Sequence, residues 1–155
     1  MKTTTSHIAD HPFLSSFSRE HLGQILEKAS EVQFEPGEVI FKENDPANRF
    51  YLLEYGKVAL ETHVPRDGMV TVQTLEGGDV LGWSWLFPPF VWHFQARAIE
   101  PTNAIVLDGA HLLVLCEKNH EFGYELMKHM TQVVIQRLQS TRRQWLAREG
   151  PILPA

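Results

Sequence analysis

Serine, histidine and cysteine are the residue types in this chain that could carry chemistry, and their spacing argues against most of it. Gly82-Trp83-Ser84-Trp85-Leu86 opens like a nucleophile elbow, but Leu86 stands where the second glycine is required. No partner histidine and carboxylate can be inferred for Ser84, whose default role is to start a helix. One kind of metal centre on short strands uses a His-x-His pair with a downstream Glu, and none of the eight histidines forms such a pair. His63, His93 and His111 lie in separate strands or turns, where surface or hydrogen-bonded roles are expected. Cys116 is the single cysteine, which leaves no intrachain disulfide and no zinc site rich in cysteine within one chain. No catalytic residue, metal or cofactor is expected.

The stronger signal is aromatic. Residues 82–97, GWSWLFPPFVWHFQAR, hold three of the four tryptophans and three of the nine phenylalanines beside Pro88-Pro89. Rings at this density beside a rigid diproline suggest a pocket or a contact surface. Near Val91 a strand is expected, with Trp92, Phe94 and Ala96 on one face and His93, Gln95 and Arg97 on the other. Which face turns inward stays open at this stage.

The elements that must position this segment can be read from punctuation. Ser18 is a good N-cap, and Leu22, Ile25, Leu26 and Ala29 follow at helical spacing, which predicts a helix over about 19–29. From 31 to 108 the chain becomes short runs rich in Val, Ile, Phe and Tyr: VQFEP, EVIFK, RFYLLEY, KVALETHV, MVTVQTLE, DVL, FQARAIE and NAIVLD. Turn residues at Pro36-Gly37, Asn44-Asp45-Pro46, Tyr55-Gly56, Pro65-Arg66-Asp67-Gly68, Gly77-Gly78 and Pro101-Thr102-Asn103 separate them, so about eight strands in a sandwich or jelly roll are expected. From Glu117 to Leu146 a long helix is predicted, broken near Asn119 or Gly123. Its apolar stripe runs Phe122, Leu126, Met130, Val133, Val134, Leu138, Thr141 and Trp145, and either the strand domain or the same helix of a second subunit could cover it.

Length and composition fit one domain with one core: 155 residues, 43% hydrophobic and 21% charged. A formal net charge of −5 gives no general attraction to nucleic acid. No secretory signal and no apolar run near the roughly 18 residues of a membrane span is present, so a cytoplasmic protein away from membranes is expected. Flexible ends are expected at 1–10 and 149–155, with one domain over 11–148 between them, its strands over about 31–108 and its C-terminal helical region over about 109–148.

Read in order, FEPGEVIFKENDPANRFYLLEYGKVALE, TLEGGDVLG and QARAIEPTNAIVLD resemble the cyclic-nucleotide-binding domain superfamily of catabolite activators (Crp/Fnr type) and protein kinase A regulatory subunits. The ordered glycines Gly37, Gly56, Gly77, Gly78 and Gly82 carry most of the resemblance, with Asn44 where the pattern favours glycine. The resemblance implies a mainly β fold with flanking helices: a β-roll, or jelly roll of the double-stranded β-helix type, ending in a long C-terminal helix. It also implies a phosphate-binding cassette, in which a Glu after the entry glycine holds a ribose hydroxyl and a later Arg followed by Ser or Thr grips the cyclic phosphate. In this chain Trp83 stands in place of the Glu, Trp92 in place of the Arg, and His93 in place of the Ser or Thr. Arg97 matches a different family arginine and is expected to be structural.

The diverged cassette, Gly82, Trp83, Ser84, Trp85, Trp92, His93 and Phe94, is therefore the candidate ligand site, and cAMP and cGMP are not expected to bind it in the usual way. Three readings remain open. Trp83, Trp85, Phe87, Trp92 and Phe94 could fill the nucleotide cavity, line a pocket for an apolar or aromatic small molecule oriented by Ser84, His93 and Gln95, or form a docking patch for a protein partner. A cupin-like enzyme on the same architecture lacks its ligands here, and no axial haem ligand is recognisable. The resemblance implies a non-catalytic sensory or regulatory domain, with a structural dimerisation or interaction module as the alternative. A homodimer through the C-terminal helix is one expected partnership. Arg137, Arg142, Arg143 and Arg148 on that helix are expected to solvate its outer face or complement its dipole. No recognition helix follows, so direct DNA binding is not expected.

Overall fold

The computed structural model describes residues 8–149, and the ends expected to be flexible lie otherwise outside the described residues. Ile8 is helical and buried in the core, so packing starts ahead of the boundary expected at 11. Helix α1 (Arg19–Leu26) is capped by Ser18, whose side chain accepts from the His21 N–H at 3.3 Å. It ends before the expected Ala29, because the Ala29 N–H closes a turn on the Leu26 carbonyl and Ser30 already starts a strand.

Eight strands follow: β1 (Ser30–Phe34), β2 (Val39–Phe41), β3 (Arg49–Tyr55), β4 (Lys57–Val64), β5 (Gly68–Glu76), β6 (Val80–Leu81), β7 (Gln95–Ala98) and β8 (Thr102–Asp108). They form two antiparallel four-stranded sheets, ordered β1-β8-β3-β6 and β2-β7-β4-β5. This is the β-roll that the resemblance implies, within the sandwich or jelly-roll class expected from the strand pattern. The β3–β4 hairpin turns at Gly56, whose φ of +107° and contact with Thr102 leave no room for a side chain.

Strand alternation splits the apolar residues into two cores. On β3, Tyr51 and Leu53 face the inside of the roll, where they meet Val58, Leu60, Leu75, Ala96, Ala98 and Ala104. Phe50 and Leu52, with Ile105 and Leu107 of β8, face the other way into a helical layer built from Phe13, Leu14, Phe17, Ile25 and Leu112.

The helical region after the strands consists of two helices, α2 (Gly109–Lys118) and α3 (His120–Glu149), with the break at Asn119. Asp108 caps α2 through the His111 N–H at 3.0 Å, and Asn119 Oδ1 caps α3 by accepting from the N–H groups of Glu121 and Phe122. The single stripe expected on α3 resolves into two. Phe122, Leu126 and Met130 are buried against the helical layer, whereas Tyr124, Val134, Leu138 and Trp145 are exposed. At about 100° per residue the two sets occupy adjoining faces of the helix, their centres roughly 115° apart.

Candidate functional site

The aromatic segment divides at its middle. Its second half enters the roll: Trp92 is 2% exposed and lies in the roll core, stacked on Phe41 with ring centroids 3.7 Å apart and an interplanar angle of 7°. Gly82 makes this possible. Its φ is +74°, and a Cβ there would run into the Trp92 ring at Cζ3. Phe94 is partly buried against the same core, tilted onto Phe41 at 5.9 Å. The backbone is pinned as well: the Asn44 N–H donates to the Trp92 carbonyl at 2.8 Å, and the Trp92 N–H to the Asp45 carbonyl at 3.0 Å. Asn44 adopts φ +76° at this contact.

The first half goes to the other core. Trp85 is fully buried among the helical-layer residues, 5.2 Å from the Phe50 ring, and its Nε1–H has no hydrogen-bond partner among the described residues. Trp83 is partly buried against that same layer, and the guanidinium of Arg137 lies over its ring at 5.5 Å. Ser84 is buried in a turn closed by the Leu86 N–H on the Trp83 carbonyl, so it starts no helix. Phe87, Pro88, Pro89, Phe90 and His93 are exposed. The seven candidate residues therefore do not surround one pocket. Gly82, Trp92 and Phe94 meet inside the roll, Trp83 is partly buried and Ser84 and Trp85 buried elsewhere, and His93 faces away. The strand expected near Val91 begins only at Gln95, preceded by an isolated bridge between Val91 and Pro46.

On the outer face of β4 and β7, Arg97 donates to both carboxylate oxygens of buried Glu61, and Gln95 Nε2 donates to Oε1 at 2.9 Å. The bond from Arg97 holds the Glu61 carboxyl below the usual carboxylate range, and Glu61 in turn raises the Arg97 guanidinium. Arg97 is thus a strand residue committed to an ion pair. Burial pushes the half-buried Cys116 thiol up. Among the described residues no three His, Cys, Asp or Glu side chains come together to hold a metal ion. No helix there is long and apolar enough to cross a membrane.

Arg137 departs from the outward-facing role expected for the arginine cluster; the Arg148 side chain lies outside what is described. The inward stripe Phe122, Leu126, Met130, Val133 continues at helical spacing onto Arg137, which brings the guanidinium against the roll. It is half-buried, donates to the Val80 carbonyl at 2.7 Å and touches Trp83. Beside it, α3 and the β5–β6 corner enclose a groove of about 430 Å³, whose lining includes Gln73, Asp79, Val80, Gln136, Arg137 and Arg143. A charged residue in register with a buried apolar stripe was the sequence signal for this contact.

A family profile described as cyclic nucleotide-binding domain matches residues 31–119. Among solved structures, the chain is 31% identical to a Geobacter metallireducens protein described as cyclic nucleotide-binding, with a TM-score of 0.79, covering 88% of this chain and 99% of the other. It is 19% identical to a cyclic nucleotide-binding domain from Methylobacillus flagellatus, with a TM-score of 0.76 over 85% and 74% of the two chains. The sensor domain of the transcriptional regulator DNR from Pseudomonas aeruginosa shares the fold at 17% identity, with a TM-score of 0.69 over 87% and 91%. No curated protein matches the chain in sequence.

Proposed function

Because the chain belongs to the cyclic nucleotide-binding domain family, we propose that it is a non-catalytic regulatory domain of that type whose roll is closed by its own rings. In this reading neither cAMP nor cGMP binds in the family's usual way. The observation that carries it is the Trp92–Phe41 stack in the roll core, seated against Gly82 at the cassette entrance. In this reading Trp92 stands where the family has its phosphate-gripping Arg, and Trp83 where it has its ribose-holding Glu. An indole has one N–H donor and no acceptor, so neither tryptophan can replace a guanidinium fork or a carboxylate. Each lost charge-assisted bond removes about 1.5–3 kcal/mol, roughly tenfold to a hundredfold in affinity.

The output element in this reading is α3. Arg137 ties it to Trp83 of the cassette and to Val80, so a change in cassette packing reaches the helix through one side chain. The exposed stripe of Tyr124, Val134, Leu138 and Trp145 supports a role for the outer face in meeting a second subunit or a protein partner. Calorimetric titration with cAMP and with cGMP tests the reading. No saturable heat is expected up to about 1 mM nucleotide, and a dissociation constant in the low micromolar range for either would overturn it.

A further inference from the structure

Arg137 is under-used where it lies. Its guanidinium carries five N–H donors, and the bond to the Val80 carbonyl is its one hydrogen bond among the described residues. Burial pulls its pKa down, with the nearby Asp79 charge acting more weakly in the opposite direction. Asp79 forms no ion pair with Arg137 and instead closes its own turn, accepting from the Glu76 N–H at 2.8 Å. If the position only had to cover the corner, an apolar side chain would continue the stripe of Val133 and Met130 without a desolvated charge.

We propose that the groove between α3 and the β5–β6 corner binds a small polar oxyanion, a phosphate or carboxylate on a hydrophilic body, with Arg137 as its anchor. Trp83 covers part of the guanidinium and preorganises it, which lowers the cost of binding. Arg143 lines the same groove and supplies a second cation, while Gln73, Gln132, Gln136 and Ser140 offer neutral donors and acceptors for the body of the ligand. Groove volume suits a metabolite rather than a macromolecule. Neither Trp92 nor Phe41 lines the groove, so its occupancy does not require their stack to open. It rests on the reading of this chain as a sensing domain, and an occupant would bear directly on the Trp83–Arg137–α3 contact.

The test titrates the full chain with inorganic phosphate and, separately, with malate, by calorimetry and by thermal shift. Saturable binding of one or both is expected, and the two arms tell phosphate from carboxylate. Arg137→Gln is expected to weaken it about tenfold to a hundredfold. Arg143→Gln, a substitution at an exposed position that keeps the fold, should weaken it about threefold to tenfold. Arg142→Gln removes the same charge outside the groove and should leave the affinity within about twofold. Absence of saturable binding by both anions, or equal weakening by Arg142→Gln and Arg143→Gln, would overturn the proposal. Binding of a cyclic nucleotide inside the roll would count against the closed-roll reading alone and leave this result standing.

Discussion

The inside of the roll and the groove beneath α3 meet at a strand of two residues. Leu81 faces the roll, where it joins Trp92, Phe41 and Tyr51, and Val80 packs into the helical layer while its carbonyl meets Arg137 at the edge of the groove. One side is closed by stacked rings, and the other keeps charge and open volume. The difference teaches that dense packing at one wall of this fold says little about the opposite wall. Trp92 packs the roll because an indole stacks and buries well. Arginine on the helix holds the groove open because a guanidinium is costly to bury without partners.

Removing the ring that closes the roll is the largest break in this contrast. Trp92→Ala is expected to lower unfolding free energy by about 3–5 kcal/mol in chemical denaturation. Because the vacated space would be apolar, added indole should restore part of that loss, and the wild-type chain should show no such response. Gly82→Ala in the wild-type background should cost about 2–4 kcal/mol, combining left-handed backbone strain with overpacking on Trp92. In a Trp92→Leu background the clash term disappears, and the same change should cost only about 1–2 kcal/mol. Equal costs in both backgrounds would show that Gly82 is there for its backbone alone.

The strand frame was legible because each hairpin requires a turn residue, and the turns at Gly37, Gly56 and Gly78 stand where the punctuation places them. The cassette was harder to read because Trp83, Trp85 and Trp92 are the same residue type within ten positions, and their fates differ by layer. Periodicity could pair Trp92 with Phe94, but Phe41, which stacks on Trp92, is contributed by β2. The segment also breaks its own alternation, since no strand starts until Gln95. On α3 the inward and outward stripes merged into one list of apolar positions. Sorting them by angle separates Val133 from Val134 and shows that the buried side continues onto Arg137. Ser84 looked like a helix start because serine caps helices; Pro88 and Pro89 follow within five residues, and the chain makes only a turn.

A smaller effect is expected at the contact joining the two regions. Trp83→Leu keeps an apolar side chain against the helical layer but removes the ring under Arg137, a loss of about 0.5–1 kcal/mol. Its signature should be local. Amide exchange across residues 133–140 of α3 should quicken while that of β4 and β7 stays unchanged. A uniform rise across both would mean that Trp83 supports the fold generally and carries no specific link between cassette and helix.

The smallest expected effect separates the two regions by pH. His11 is buried between them: its Nδ1 accepts from the N–H of Phe13, which lines the groove, and its Nε2 donates to the carbonyl of Leu53 on β3 at 2.9 Å. Burial holds its pKa below the ordinary value of 6.5, although the Leu53 and Asp79 backbone and the Asp79 charge favour protonation. Between the two pKa values the unfolded chain binds more protons than the folded one. Stability from a neutral His11 is therefore complete above about pH 6.5 and declines as pH falls below it. Protonation places a hydrogen on Nδ1 facing the Phe13 N–H, so the bond on the groove side is the one lost. Unfolding free energy measured from pH 7.5 to 5 should fall less steeply in His11→Gln than in wild type, and exchange near Phe13 should rise before exchange in the roll core. Equal slopes in the two proteins would remove His11 from the acid response and place it with histidines nearer the surface.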